Sequence, residues 1–274
     1  PAAIGSDTGG SVRIPAAWND LVGLKTSAGR LSLQGVVPLC ESFDTVGPLA
    51  HSVEDCSLIL ALLEGRRPDA PAPETISGAR LAVLETVALD DLRAAPAKGF
   101  DDACTRLSRA GARIDRITAP EITEAMQLAA ILFTAEAYGI WREVIEAAPQ
   151  KMYPPILERF RSGAAVPAMD YVAGWRRLAV LRQQWQARIA GFDAVILPTS
   201  PILPPNAERL MTDRDYYVGE NLLALRNTRI GNMMGGCALT LPTSHPSCGI
   251  TLLAAPLEEQ RLLRLGAAAE RALQ

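Results

Sequence analysis

The hydrophobic and polar positions of this chain predict short strands separated by amphipathic helices. Residues Arg80–Leu84 form a mostly apolar run of strand length, and residues 112–117 alternate between apolar and polar side chains. Between them, residues 97–110 place apolar side chains on one helical face, and Gly111 follows as a stop. The apolar positions of that face are Phe100, Cys104 and Leu107. The order strand, helix, strand is typical of a parallel βαβ unit.

Another helix is predicted before this unit. Ser52, with Asp55 three residues later, forms a start like a capping box, in which Asp55 can reach back to the Ser52 backbone N–H. Gly65 supplies the stop. The apolar positions at helical spacing are Leu58, Ile59, Leu62 and Leu63. Residues 65–78 carry three prolines and few large apolar side chains, so they are the best candidate for a linker.

The second half of the chain adds long helices and further core strands. The periodicity predicts helices at 121–148 and 169–190, the second with an inward-facing apolar stripe. That stripe consists of Val172, Trp175, Leu178, Leu181 and Trp185. The apolar runs 194–197, 238–241 and Gly249–Leu253 predict strands, and the last two are expected to be neighbours.

A final helix is predicted to start at Pro256. Its apolar positions are Leu262, Leu263, Leu265 and Ala269. Strands that alternate with helices in this way place the protein in the α/β class.

Composition and charge exclude some kinds of partner, and they do not alter the predicted fold class. The 274 residues carry a net charge of −3 without a basic stripe, so nucleic acid and anionic membrane surfaces are not expected partners. No signal peptide or membrane-spanning run is visible. The five scattered cysteines favour free thiols and a cytoplasmic location. With only two histidines, we expect no metal site and no cofactor.

A glycine-rich segment near the start is the strongest candidate for chemistry. Residues 5–11 read GSDTGGS and follow the small apolar residues 1–4, which read as the tail of a buried strand. A Gly-Gly-Ser triplet by itself is most often a surface turn. In an α/β sheet, however, the end of a strand is where binding sites form.

The residue types in this segment suit an oxyanion site. Because Gly9 and Gly10 lack Cβ atoms, the backbone N–H groups of Thr8, Gly9, Gly10 and Ser11 can converge on one oxygen atom. Asp7 can accept hydrogen bonds from N–H groups of the same turn and hold its shape.

The longer segment GSDTGGSVRIPAAWNDLVGLK, at residues 5–25, resembles the core motif of the amidase signature family. Two later stretches, DAVILPTSP and GNMMGGCALTLPT, resemble its late motifs, with Cys237 where the family usually has proline. The resemblance implies a mixed central sheet covered by helices on both faces. It also implies an enzyme that hydrolyses amide C–N bonds.

The resemblance assigns roles within the glycine-rich segment. Ser11 matches the nucleophile, and the backbone N–H groups of Thr8, Gly9 and Gly10 match the oxyanion hole. A serine hydroxyl needs a base. In the family a neutral lysine and a second serine, held by a cis peptide bond, remove the proton, and both precede the nucleophile.

Only ten residues precede Ser11, so we expect one amidase-type domain, residues 1–274, whose N-terminal part is missing. Its regions are the nucleophile loop (1–65), a variable, mostly helical substrate side (66–190) and the C-terminal sheet and helix (191–274). This fragment alone is expected to be inactive.

Other residues could supply a base, but each has a simpler interpretation. Lys25 matches a family position outside the relay, and Lys98 and Lys151 lie in polar contexts. His245, the one candidate for a serine–histidine pair, reads as a loop residue between prolines. Arg13 can face a substrate carboxylate, although support of the loop, together with Asp7, is preferred.

The expected reaction is hydrolysis of a small carboxamide through an acyl-enzyme on Ser11. Two alternatives stay open: a component like the A subunit of a tRNA-dependent amidotransferase, and an inactive fragment without its base. A homodimer is compatible with the sequence. Four aromatic residues could line an acyl pocket, although core packing is preferred for each: Phe133, Tyr138, Trp141 and Trp175.

Overall fold

The computed structural model describes residues 2–68 and 75–274. The strands in these residues form one eight-stranded sheet, in the order β1-β3-β2-β7-β8-β6-β4-β5. They are β1 (Ala3–Ser6), β2 (Val22–Lys25), β3 (Val46–Ala50), β4 (Arg80–Leu84), β5 (Arg113–Ile117), β6 (Ala194–Pro198), β7 (Ala238–Pro242) and β8 (Gly249–Leu253). The predicted α/β class with a mixed central sheet is confirmed.

One end of the sheet is parallel and the rest is antiparallel. Strand β4 pairs in parallel with β5 and β6, so that Leu81 lies opposite Ile114 on one side and Ala194 on the other. This arrangement confirms the predicted parallel βαβ unit. Strands β7 and β8 are antiparallel neighbours, as predicted, and β1 forms the far edge of the sheet against β3.

Helices cover both faces of the sheet. They are α1 (Arg13–Trp18), α2 (Val53–Leu63), α3 (Ala94–Arg109), α4 (Pro120–Ala147), α5 (Pro154–Arg161), α6 (Ala168–Ile189), α7 (Ala207–Thr212), α8 (Arg214–Met234) and α9 (Glu259–Leu273). On β4, Leu81 and Val83 face the core beneath α2, α3 and α9, whereas Ala82 and Leu84 face the core beneath α4, α6 and α8. This alternation is the period of a strand buried on both sides.

The start of α2 differs in one contact from the predicted capping box. The Asp55 N–H donates to Ser52 Oγ at 3.1 Å, as expected. The Asp55 carboxylate, however, accepts from the Ser52 hydroxyl at 2.8 Å and not from its backbone N–H. Gly65 ends the helix in a left-handed conformation. Part of the predicted linker, residues 69–74, lies outside the described residues.

Three sequence predictions are wrong about burial or helix start. Val172 in α6 is exposed, since it lies on the outer side of the helix, while Leu178, Leu181 and Trp185 are buried and Trp175 is half-buried. Strand β1 is an exposed edge strand and not a buried one, because it pairs on one side only. Helix α9 begins at Glu259 and not at Pro256, because Leu257 takes a left-handed conformation and donates its N–H to Ser27 Oγ.

Helix α8 was not among the predicted elements, although its ends carry recognisable capping residues. The Asp213 side chain accepts from the Tyr216 N–H at 3.0 Å, and Gly235 ends the helix in a left-handed conformation. The inner face of α8 carries the polar residues Asn227, Thr228 and Asn232 at buried positions. Polar residues are normally expected on the solvent-facing side of a helix, so their presence on the buried face hides the helical period of apolar residues.

Candidate active site

The glycine-rich segment forms the connection between edge strand β1 and helix α1. The Asp7 N–H donates to Thr45 O at 2.8 Å, which continues the pairing of β1 with β3 by one residue. The chain then turns, and the Ile14 N–H donates to Gly10 O at 2.8 Å to open the first helical turn. We call residues 7–12 the nucleophile loop.

A buried ion pair lies under the nucleophile loop. Arg13 donates from Nε to Asp7 Oδ2 at 3.0 Å and from Nη2 to Asp7 Oδ1 at 2.8 Å. The Arg13 side chain is 1% exposed and the Asp7 side chain 0%. Burial opposes ionisation of Asp7, but the charge and hydrogen bonds of Arg13, together with Lys25 and Asn232, outweigh it and lower the pKa of Asp7 to about 2. Asp7 also accepts from the Val12 N–H, so the same carboxylate holds the turn.

Helix α8 closes over the loop from the other side. Thr228 Oγ1 donates to Gly9 O at 2.7 Å, and Thr228 O accepts from Arg13 Nη1 at 2.6 Å. Gly10 takes a φ of +138°, and a Cβ atom there would lie 2.2 Å from Thr228 Oγ1. The glycine is therefore required both by the backbone conformation and by the close approach of the helix.

Asn232, one turn further along α8, completes the contacts beneath the loop. Its side-chain N–H donates to Asp7 Oδ1 at 3.0 Å, and its Oδ1 accepts from Arg13 Nη2 at 2.6 Å. The Arg13 guanidinium is thus surrounded by acceptors from the loop and from α8. Arg13 is buried among these groups and its guanidinium contacts the protein interior. Its role in supporting the loop stays a prediction.

Thr8 is held by the segment that precedes β3. Its hydroxyl donates to Asp44 Oδ1, while Asp44 Oδ2 accepts from the N–H groups of Leu39 and Cys40 at 2.8 and 3.0 Å. Asp44 therefore links two loops through both of its carboxylate oxygens. Since the Thr8 side chain is engaged here, the direction of its backbone N–H is constrained as well.

The Ser11 side chain is exposed and borders a cavity of about 430 Å³. Thr8 and Gly9 line the same cavity, whereas Gly10 is buried and does not line it. Within residues 2–68 and 75–274, the backbone N–H groups of Thr8, Gly9, Gly10 and Ser11 donate to no protein acceptor. A hydroxyl and several unused donors therefore meet at one wall of the cavity.

Helices form much of the remaining lining of the cavity, which we call the helical wall. It is built mainly from α4, α5 and α8, and its members include Met126, Ala129, Phe133, Arg159, Leu225 and Arg229. Phe133 also stacks on Phe43, with ring centroids 4.2 Å apart. Of the four aromatic residues considered from the sequence, Phe133 is the one that lines this cavity.

None of the candidate bases lines the cavity. Lys25 is buried elsewhere and donates to the carbonyl oxygens of Thr26 and Gly236 at 2.7 and 2.8 Å. Burial, and next the Arg13 charge, lower the pKa of Lys25 to about 8. His245 Nε2 lies 2.6 Å from Asp102 Oδ2 on α3. Over the described ranges, the cavity lining contains no lysine and no histidine.

Sequence reasoning missed several residues that the structure brings to this site. Thr228 and Arg229 lie on the unpredicted helix α8, and Arg159 lies on α5 in a region predicted only as mostly helical. Asn232 was inside the recognised segment GNMMGG, but no contact with Asp7 was inferred. Nothing local connects it to the loop, because 225 residues separate the two side chains.

Metal-binding and membrane-spanning features are absent from the described residues. No group of three or more histidine, cysteine, aspartate or glutamate side chains there is arranged to hold a metal ion. No helix in those ranges combines the length and apolar character needed to cross a bilayer. Besides the two arginines, the residues that line this cavity and carry a hydroxyl or thiol are Thr8, Ser11, Cys40, Thr134 and Ser162.

Fold, loop and cavity together define a class of protein: the chain belongs to the amidase family, whose model matches residues 1–263. It is 34% identical to the 2-amino-5-chloromuconic acid deaminase of Comamonas testosteroni, over 95% of this chain and 58% of the relative. It is 27% identical to the A subunit of the glutamyl-tRNA(Gln) amidotransferase of Dehalococcoides mccartyi, over 96% of this chain and 62% of the relative.

A solved structure gives the same result. The crystal structure of an amidase superposes on the whole of this chain with a TM-score of 0.84 and 26% identity. The match covers 63% of that protein. The chain thus spans less than two thirds of the length of these relatives.

Proposed function

We propose that this protein hydrolyses the C–N bond of a small carboxamide through an acyl-enzyme on Ser11. One observation carries the proposal: the Ser11 hydroxyl borders a cavity beside the backbone N–H groups of Thr8, Gly9 and Gly10, which have no acceptor within the described residues. An oxyanion hole needs donors of this kind, oriented in advance and unused before the reaction.

In the proposed reaction, Ser11 Oγ attacks the amide carbonyl carbon while its proton passes to a base. The carbonyl oxygen becomes an oxyanion and accepts from the N–H groups, each of which contributes roughly 3 kcal/mol to the transition state. The C–N bond breaks as the nitrogen takes up a proton, and an ester to Ser11 remains. Water then attacks the ester, and the carboxylate leaves with the Ser11 hydroxyl restored.

Asp7 and Arg13 take no proton in this scheme. Their ion pair is buried beneath the loop and does not border the cavity. We propose that they act by holding the loop in the shape that presents the N–H groups. This is a positioning role, since neither side chain touches the reacting atoms.

The proposed mechanism needs a base, and the described residues that line the cavity include no lysine or histidine to supply it. The family resemblance implies a serine and a neutral lysine that precede the nucleophile. The curated relative deaminase is matched over only 58% of its length. We therefore propose that turnover requires residues additional to these 274, and that the 274-residue chain alone is inactive.

Labelling with a fluorophosphonate tests the role of Ser11, because the reagent reacts with activated serine nucleophiles. The longest product of the gene is compared with the 274-residue chain, and the adduct is located by mass spectrometry. We expect an adduct on Ser11 in an active protein, lost in Ser11→Ala. Ser162→Ala, which removes another serine of the same cavity, should keep it. A wild-type rate of amide hydrolysis in Ser11→Ala contradicts the proposal.

The similarity to the A subunit of an amidotransferase supports a second function. In that case the same serine would release ammonia from glutamine and pass it to a partner subunit. Glutaminase activity that requires co-purified subunits would favour this alternative. Hydrolysis of simple amides by the purified protein alone would favour the amidase, and a protein without either activity or adduct would be the non-catalytic alternative.

The state of the cysteines supports a proposal for the cellular compartment of the protein. All five thiols are free, and burial raises the pKa of Cys237 to about 12, so this thiol stays protonated and unreactive. Free thiols persist in a reducing environment. We propose a cytoplasmic location, and a serine mechanism that requires no cofactor.

A further inference from the structure

Two arginines of the helical wall stand out because they have no acidic partner. Arg159 and Arg229 both line the Ser11 cavity and are half-buried. Arg159 donates from Nη1 to the neutral Asn221 Oδ1 at 2.9 Å. Among the described residues, no carboxylate lies within ion-pair distance of either guanidinium, and no aspartate or glutamate lines the cavity.

Nearby arginines behave differently. Arg161, two residues from Arg159, binds Glu146 through both Nε and Nη2, at 2.9 and 2.7 Å. Arg214, at the start of α8, pairs with Glu158. Arg161 and Arg214 thus have carboxylate partners, whereas Arg159 and Arg229, which line the cavity, have none among the described residues.

Two arginine side chains close together without an acidic partner are an unfavourable arrangement. Burial, and next the charge of Arg159, lower the pKa of Arg229, so the two like charges destabilise one another. Arginine forks bind carboxylates in a bidentate manner and with stronger hydrogen bonds than neutral partners do. A carboxylate entering the cavity would relieve the repulsion and satisfy the remaining donors.

We propose that Arg159 and Arg229 bind a carboxylate group of the substrate, so that the protein acts on small amides that carry a carboxylate away from the scissile bond. This inference rests on the proposed hydrolysis at Ser11 and specifies its substrate class. Apolar groups of Met126, Phe133 and Leu225 line the same cavity, so a short hydrocarbon segment is the expected connection between amide and carboxylate. Hydrolysis of such an amide with water yields a dicarboxylate and ammonia or an amine.

Binding is measured without turnover, on Ser11→Ala of the longest gene product, by isothermal titration. The probes are malonamate, succinamate, glutaramate and adipamate, each compared with the amide in which a methyl group replaces the carboxylate. We expect at least one carboxylated probe to bind about 10- to 100-fold more tightly than its methyl counterpart, as hydrogen bonds to a charged group allow. Equal binding of every pair overturns the proposal.

Variants identify the residues responsible. Arg229→Met and Arg159→Met should each reduce the preference for the carboxylated probe by about tenfold or more, whereas Arg229→Lys should keep part of it. Arg161→Met is the matched control, because Arg161 lies on α5 but pairs with Glu146 outside the cavity. A preference that survives both cavity variants, or that falls equally in the control, also overturns the proposal.

Kinetics with Ser11 intact separate this inference from the proposed function. We expect Arg229→Met to raise KM for the carboxylated amide more than for the methyl counterpart, whereas Arg161→Met should leave KM for both amides unchanged. If Ser11-dependent hydrolysis is observed without any carboxylate preference, the substrate class is wrong and the hydrolase remains. If the carboxylated probes bind through the two arginines but Ser11→Ala does not affect hydrolysis, the proposed function is wrong and the binding site remains.

Discussion

The nucleophile loop and the helical wall line the same cavity, yet their charged side chains differ in the partners that they have. Under the loop, Asp7 and Arg13 are almost completely buried, and their charged atoms bind one another and α8. On the helical wall, Arg159 and Arg229 are half-buried and have no acidic partner in the described residues. The charged side chains under the loop are paired inside the protein, whereas the guanidinium groups of the helical wall have no counter-charge among the described residues.

The difference shows how a positioning group can be told from a binding group. A side chain that must hold the backbone in place is useful only when its hydrogen bonds are made inside the protein. A side chain that binds a ligand must keep donors free, and this lowers the stability of the empty protein. Arg13 and Arg229 share residue type and charge, but they differ in burial and in the partners of their guanidinium groups.

The largest effect is expected from the ion pair under the loop. Asp7→Asn leaves the buried Arg13 without its counter-charge and should lower the free energy of unfolding by about 3–5 kcal/mol. The shift in urea midpoint, with an unchanged slope, measures the loss. The control is Asp102→Asn, which removes an exposed carboxylate and should shift the midpoint far less. Similar shifts for the two variants would mean that the Asp7–Arg13 ion pair contributes no more to stability than an exposed contact does.

A smaller effect on the free energy of unfolding is expected when the pH is lowered. The pKa of Asp7 is lowered from 3.8 to about 2, so its contribution to stability is complete above pH 4 and is lost as the pH falls towards 2. The difference in unfolding free energy between wild type and Asp7→Asn should therefore shrink, by about 1 kcal/mol at pH 3. Chemical denaturation at pH 6 and pH 3 checks this. A difference that is constant over this range would mean that the pKa of Asp7 is the same in the folded and the unfolded protein.

The smallest effect on stability is expected on the helical wall. Arg229→Met removes a half-buried charge that has no acidic partner and lies near Arg159, so the unfolding free energy should change by no more than about 0.5 kcal/mol, or rise. Urea denaturation of this variant beside Asp7→Asn gives the comparison directly. A loss as large as that of Asp7→Asn would show that Arg229 supports the fold, and the contrast between the two walls would disappear.

Local sequence patterns were sufficient to predict much of the sheet and to recognise the nucleophile loop. Strand β4 has the predicted bounds, and α4 differs from the predicted 121–148 by one residue at each end. Both are regular elements whose apolar period or run lies within a single segment of the chain. The segment around Ser11 was recognised because its glycines, aspartate and serine are contiguous, and the structure places this serine at a cavity, although its catalytic role stays a prediction.

Other elements were determined by contacts between distant segments. Helix α9 begins at Glu259 because the backbone N–H of Leu257 and the carboxylate of Glu259 both bind Ser27, more than 200 positions earlier. Helix α8 was not predicted because its inner face is polar, and it is polar because Thr228 and Asn232 satisfy the nucleophile loop. A pattern of apolar residues cannot reveal a helix whose buried face binds polar groups.

The sequence by itself determined the α/β class, the family resemblance and the position of the candidate nucleophile, since these depend on neighbours along the chain. The tertiary structure decided which arginines are saturated and which face the cavity. Arg13, Arg159 and Arg229 have the same side chain, and a guanidinium is distinguished only by the partners that folding brings to it. That information is non-local, because the acceptors of Arg13 on α8 lie 215 and 219 residues away.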